Sequence, residues 1–246
     1  MSKVLILLLF FVVLSAPFEA PAREKIEDLT QLSILQESQQ IHPGQTTLIG
    51  LKVRLLKPHW HTYWKNPGDT GAPPKIKVTS SQPIEFSEIQ YPLPKRIETK
   101  TLVSYAYEDE VIYLVPIRIP ESARARGELL VKVNFEWLIC EEVCIPAFST
   151  QELSWKLTSA ENVKPGADAG AIQKASSEVP ALMTSPARAE KESELVFDLP
   201  ASALAGKSFD DFFPASQAGL DLKKPRTEIK GSQIRIITKR GEFAEG

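Results

Sequence analysis

Cys140 and Cys144 are separated by Glu141, Glu142 and Val143, and they are the only two cysteines of the chain. Fully extended, four residue steps would hold their Cα atoms about 13 Å apart, whereas a disulfide needs roughly 4.4 to 6.8 Å. A bridge therefore requires the segment to turn. Closing so short a ring constrains the unfolded chain by only about 2 kcal/mol, against about 4.7 for a 100-residue loop, so it makes a poor structural staple. A redox couple explains such a pair most directly, with a structural bridge and a pair of metal ligands as the open alternatives. No Lys, Arg or His adjoins either sulfur in sequence. Glu141 and Glu142 disfavour a thiolate beside them, which suits a pair attacked by a partner's thiolate.

A second candidate cluster is His59-Trp60-His61. On a strand, both imidazoles would share one side and Trp60 the other. With Cys140 and Cys144 they would complete a Cys2His2 set for zinc or copper. The simpler expectation is two exposed polar positions on an aromatic-rich strand, with Trp60, Tyr63 and Trp64 serving as core or recognition surface. Other chemistries lack their signatures: there is no Gly-x-Ser-x-Gly, no His-Glu-x-x-His and no phosphate-cradling glycine loop.

The elements that must position these residues read as strands. Leu129, Val131, Val133, Phe135, Trp137 and Ile139 alternate with Glu128, Lys132, Asn134 and Glu136, and Leu153, Trp155 and Leu157 continue the pattern beyond the cysteines. Leu51, Val53 and Leu55 alternate likewise, as do Ile76 and Val78. Val111 to Val115 is apolar on both faces and predicts an interior strand. Breakers such as His42-Pro43-Gly44, Asn66-Pro67-Gly68-Asp69 and Tyr91-Pro92-Leu93-Pro94 separate the strands, and Glu108-Asp109-Glu110 reads as a solvated turn. The expected fold class is all-β, an immunoglobulin-like antiparallel β-sandwich. A ferredoxin-like α+β fold is the alternative, but the pattern offers no helix to fill it.

Composition narrows the function classes. The 246 residues carry 29 basic against 31 acidic side chains, a net charge of −2, so no basic field is present to hold nucleic acid. With 43% hydrophobic and 24% charged residues the chain can build a core. Val4 to Leu14 is an unbroken apolar run after Lys3, followed by the small-residue site Ala20-Pro21-Ala22. As a helix it would reach only about 17 Å against a ~30 Å hydrocarbon core, which predicts a cleaved signal peptide over 1–22 and a periplasmic destination. Two cysteines can pair in that compartment. The redox domain is expected over 23–158, and an Ala-, Ser-, Pro-, Glu- and Lys-rich linker with a short helix over 159–193. The start of a second β-domain is expected over 194–246, too small to be stable alone and so read as truncated.

Three stretches in this order resemble the N-terminal periplasmic domain of the DsbD family of thiol:disulfide interchange proteins, within its ScsB-like branch associated with suppression of copper sensitivity. They are His59 to Gly71, Tyr105-Ala106-Tyr107-Glu108, and Trp137 to Pro146. The resemblance spans about His42 to Leu157; Leu195 to Pro225 resembles the next extracytoplasmic β-region of that branch. It implies a protein-disulfide reductase component with Cys140 and Cys144 as the active pair and no cofactor. Electrons would come from a membrane-embedded cysteine pair and pass to oxidised thioredoxin-like periplasmic proteins. The best-known branch places five residues between its cysteines rather than three, and shields its disulfide with an aromatic on a cap loop. Leu102-Val103-Ser104-Tyr105 corresponds to that loop, which makes Tyr105 a cap candidate, with His61, Tyr63 and Trp64 as further cap or docking candidates. Cys144, in the connection before Ile145-Pro146, is expected to form the mixed disulfide, and Cys140, held at the strand end, to resolve it.

Overall fold

The structure, a computed structural model, describes residues 25–99, 101–124, 126–181, 187–191, 194–204, 211–216 and 223–239. The segment expected to be a signal peptide lies outside them. After one helical turn, α1 (Ile26–Leu29), come β1 (Thr30–Gln36), β2 (Gln40–Ile41), β3 (Thr46–Leu55), β4 (His61–Gly68), β5 (Lys75–Ser80) and β6 (Glu85–Phe86). They are followed by β7 (Lys95–Glu98), β8 (Val103–Glu108), β9 (Glu110–Arg118), β10 (Gly127–Cys140) and β11 (Cys144–Leu157). One sheet has the order β1-β3-β9-β6; the other runs β2-β11-β10-β4-β8-β7, with β5 also paired to β10. Pairing is antiparallel apart from the short contact of β2 with β11. This is the immunoglobulin-like β-sandwich.

Period-2 burial fixes the layers. Leu129, Val131, Val133, Phe135, Trp137 and Ile139 of β10 point into the sandwich and meet Leu51 and Val53 of β3 and Tyr113 and Val115 of β9 in one core cluster. Tyr113 joins the sheets directly, because its hydroxyl donates to the Tyr63 carbonyl at 2.9 Å. Two indole N–H groups in the core also find acceptors: Trp155 donates to the Ser38 carbonyl at 3.0 Å and Trp137 to Thr30 Oγ1 at 3.4 Å. Asp109, with φ 63, makes the tight turn from β8 to β9.

The stretch expected as a linker carries a helix, α2 (Ala169–Ser177), which covers the outer face of the first sheet. Its buried Ile172 and Ala175 pack on Leu114, so the outward side of the doubly apolar β9 is also buried. The chain reaches α2 through a close crossing at Gly166. A Cβ there would stand 2.2 Å from the Gln36 carbonyl oxygen, and the Gly166 N–H donates to Glu37 at 2.7 Å.

Beyond it, β12 (Ala187–Lys191), β13 (Glu194–Pro200), β14 (Arg226–Lys230) and β15 (Gln233–Lys239) form a sheet of order β12-β13-β15-β14. Between β13 and β14, the segment Asp211 to Pro214 lies on the sandwich. Arg96 of β7, with a side chain only 7% exposed, donates from Nε and Nη2 to the two Asp211 carboxylate oxygens, each at 3.1 Å, and from Nη2 to the Phe212 carbonyl at 2.8 Å. The guanidinium also sits over the rings of Tyr105 and Phe213, 5.0 and 5.3 Å from their centroids. Asn66 Nδ2 closes the clip by donating to the Pro214 carbonyl at 2.9 Å. Removing one partner of a buried ion pair leaves an uncompensated charge and costs about 3 kcal/mol or more. Arg96→Ala is therefore expected to lower the unfolding free energy by about 3 kcal/mol in urea titration; a loss within 0.5 kcal/mol, typical of a surface change, would show that the clip contributes little.

Candidate functional site

The two cysteines close a hairpin. From Gly127↔Leu157 to Cys140↔Cys144, β10 and β11 pair without a register shift, and the cysteines form the last pair. Their Cα atoms are 4.2 Å apart and their sulfurs are bonded. The turn that the spacing requires is thus Glu141 to Val143, tied by the Glu141 N–H to the Val143 carbonyl at 3.3 Å.

Face parity decides the surroundings. Cys140 follows Ile139, so it points away from the sandwich core and onto the outer face of its sheet. There it forms a small cluster with Tyr63 and Ala106, flanked by Ile97 and Leu138. The edge of β10 is shared: Val131 to Glu136 pair with β5, whereas Cys140 pairs with His61 at the start of β4. Cys140 is 2% exposed, and Cys144 is exposed.

Tyr63 shares the face of His61, two residues earlier, and lies fully buried beside the bridge. Its hydroxyl is 3.7 Å from Cys144 Sγ, 3.2 Å from His61 Nε2 and 3.4 Å from Thr70 Oγ1. The Asn66-to-Gly71 loop holds it there. Gly68, at φ 92, crosses so close to β8 that a Cβ would fall 2.3 Å from the Val103 carbonyl oxygen, and Asp69 exchanges hydrogen bonds of 2.7 and 2.8 Å with the Val103 backbone. The chain then returns over the Tyr63 ring. Gly71, at φ 85, packs so tightly that a Cβ would meet Tyr63 Cζ at 2.2 Å.

Several expectations are corrected. Tyr105 does not cap the disulfide. It pairs across β7 with Arg96 and points into the core, fully buried in edge contacts with Trp64 and Phe213, while its neighbour Ala106 faces the bridge. Trp64, on the opposite face from Tyr63, is likewise buried in the core and offers no docking surface. His59 does not stand beside His61 on a strand: it precedes β4 in a turn at φ 68 and is exposed. The set His59, His61, Cys140 and Cys144 is not assembled, and among the described residues no group of three or more His, Cys, Asp or Glu side chains is placed to hold a metal. Of the candidates beside the cysteines, His61 and Tyr63 are the ones brought to the bridge.

Burial shapes both groups. It lowers the His61 imidazole below its ordinary value near 6.5, a shift partly opposed by the His59 carbonyl and by Glu108 across the β4–β8 ladder. It raises the Tyr63 phenol above its ordinary value, opposed by the hydrogen bond to Thr70. At neutral pH the site therefore holds a neutral imidazole against a protonated phenol.

The family model for the N-terminal region of the thiol:disulfide interchange protein DsbD matches residues 31–154, half of the chain. The chain belongs to that family. It is a thiol:disulfide interchange domain, and its cysteine pair is bridged as that chemistry requires. Among solved structures, the N-terminal periplasmic domain of ScsB from Proteus mirabilis shares the fold at 20% identity with a TM-score of 0.55, over 91% of this chain and 86% of that one. The N-terminal domain of Neisseria meningitidis DsbD in the reduced form aligns with 54% of this chain and 90% of its own at 14% identity, with a TM-score of 0.30. No curated protein matches the sequence.

Gly71→Ala must push the Tyr63 ring off the bridge, so dithiothreitol should reduce the disulfide several-fold faster than in the wild type; an unchanged rate would mean that Tyr63 shields nothing. Because the His61 imidazole is lowered in the folded state, the unfolded chain takes up the proton first as pH falls. Stability should then decline below about pH 6.5 and level off below the folded value. His61→Asn should remove that part of the decline in urea titrations at stepped pH.

Proposed function

We propose that this domain is a periplasmic electron relay that cycles between the Cys140–Cys144 disulfide and a dithiol. It would accept electrons from a membrane-embedded cysteine pair and pass them to oxidised thioredoxin-like proteins, acting as a protein-disulfide reductase component. The observation that carries this reading is the asymmetry of the bridge: Cys144 is exposed at the tip of the hairpin, and Cys140 is 2% exposed beneath it. Of the two cysteines, Cys144 is the one that an incoming thiolate can approach.

A partner thiolate attacks Cys144 Sγ, the Cys140–Cys144 bond breaks, and Cys140 leaves as the thiolate. The partner's second thiolate then attacks its own sulfur of the mixed disulfide and Cys144 leaves. Two electrons and two protons have entered the domain, and the partner holds a disulfide. Donation to an oxidised partner runs the same sequence in reverse, with Cys144 attacking and Cys140 resolving. Val143 and Phe148, 65% and 66% exposed on either side of Cys144, supply apolar surface for the transient complex.

In this reading the disulfide contributes little to the fold, since closing its ring is worth about 2 kcal/mol and the β10–β11 ladder holds the two strands in register without it. The proposed organisation is a signal peptide over 1–22, the redox domain over 23–158, a connection over 159–193 and a further β-region over 194–246. Trapping tests the assignment. Cys140→Ala should accumulate a covalent complex with a thioredoxin-like protein, visible on a non-reducing gel, and Cys144→Ala should not. The reverse pattern would make the strand-end sulfur the exchanging one.

A further inference from the structure

Thiol exchange moves protons as well as electrons, and no imidazole or amine adjoins the cysteines in sequence to carry them. The fold supplies one from β4. Cys144 Sγ lies 3.7 Å from the Tyr63 hydroxyl, within the reach of a sulfur hydrogen bond, and the same oxygen lies 3.2 Å from His61 Nε2. The other imidazole nitrogen, Nδ1, faces the His59 carbonyl at 3.5 Å. A carbonyl can only accept, so Nδ1 carries the hydrogen and Nε2 turns its lone pair toward Tyr63. The turn at His59, with its positive φ, is what aims that carbonyl at the ring.

We propose that Tyr63 is a catalytic proton carrier for Cys144, with His61 the positioning residue behind it that takes and returns the proton. When the reduced domain donates electrons, the Cys144 S–H gives its proton to the Tyr63 oxygen while the Tyr63 O–H gives its own to His61 Nε2. The Cys144 thiolate left behind forms the bond to the partner sulfur, and the partner's other sulfur leaves as a thiolate. When the domain accepts electrons, a proton given up by the partner's dithiol loads His61, and the imidazolium passes it through Tyr63 to the released Cys144 thiolate. No oxidant or reductant beyond the partner pair is required, and the tyrosine is unchanged at the end.

The environment suits both directions. Burial keeps His61 neutral, and so able to accept, at neutral pH, while Glu108 supports the imidazolium when it forms. Glu108 is itself tied to Lys95 of β7 at 3.1 Å, which moderates its field. Glu141 and Glu142 stand on the loop between the cysteines and oppose an isolated thiolate. A thiolate paired with the His61 imidazolium escapes much of that opposition. Thr70 Oγ1, 3.4 Å from the Tyr63 hydroxyl, holds the carrier in place.

The inference rests on Cys144 being the exchanging sulfur, and its test needs no protein partner. In a Cys140→Ala background, the rate of Cys144 alkylation by iodoacetamide is measured against pH by mass spectrometry. Because the neutral His61 imidazole takes the proton through Tyr63 as Cys144 reacts, the parent should alkylate at pH 7 faster than an unassisted thiol. Adding Tyr63→Phe or His61→Asn should remove that assistance, making alkylation at pH 7 about tenfold slower. Profiles coincident with the parent would overturn the proposal. Tyr63→Phe keeps the buried ring, and His61→Asn lies at a half-buried strand start; if the former fails to fold, the latter decides. Coincident profiles together with normal trapping of a thioredoxin-like protein would remove the proton path and leave the relay, whereas slowed profiles without trapping would keep the path and remove the relay.

Discussion

One backbone pairing, Cys140 of β10 against His61 of β4, organises the site. From Val131 to Glu136 the edge of β10 is paired with β5, and at its end it meets β4. Without that change of partner the cysteine hairpin would project from the sheet with no protein beside it. With it, the outer face at the strand end gains His61, Tyr63 and Ala106, and the disulfide becomes part of a small packed cluster. Strand parity does the rest: position 139 belongs to the core and position 140 cannot.

That division separates chemistry from stability. The sandwich is held by a continuous aromatic and aliphatic core, in which Tyr113, Phe135 and Trp137 stack or tilt on one another. The bridge sits outside this core. Apolar side chains buried on the inner face of β10 and β11, rather than a cross-link, carry the energy of the hairpin. The same sheet uses its β4, β7 and β8 strands to bind the Asp211 to Pro214 segment, through Arg96 and the Trp64, Tyr105 and Phe213 rings. Neighbouring residues on each of β4 and β8 thus serve two sites, Tyr63 and Ala106 outward to the bridge, Trp64 and Tyr105 inward to the clip.

The sandwich and the cysteine hairpin were legible in the sequence because alternation over β10 and β11 is long and unbroken, and because residues 140 and 144 must turn to bond. The partner of Cys140 was not legible. Which strand lies beside which depends on pairings between segments some 80 residues apart, and alternation within one segment says nothing about them. Tyr105 failed as a cap for this reason: its type and place in the chain fit, but parity relative to β4 puts it on the far face. His59 failed because a positive φ at a histidine leaves no mark in composition. The docking of α2 on Leu114 could have been suspected, since a strand apolar on both faces needs a cover on each.

The central claim is that the Cys140–Cys144 bridge is an exchangeable redox couple rather than a fixed staple. Its reduction potential, read from equilibrium with a dithiothreitol couple of known ratio by thiol trapping, tests that most directly. A relay is predicted to lie above about −300 mV, within reach of thioredoxin-like donors. A value below that level, together with a large loss of unfolding free energy on reduction, would contradict the account and make the bridge structural.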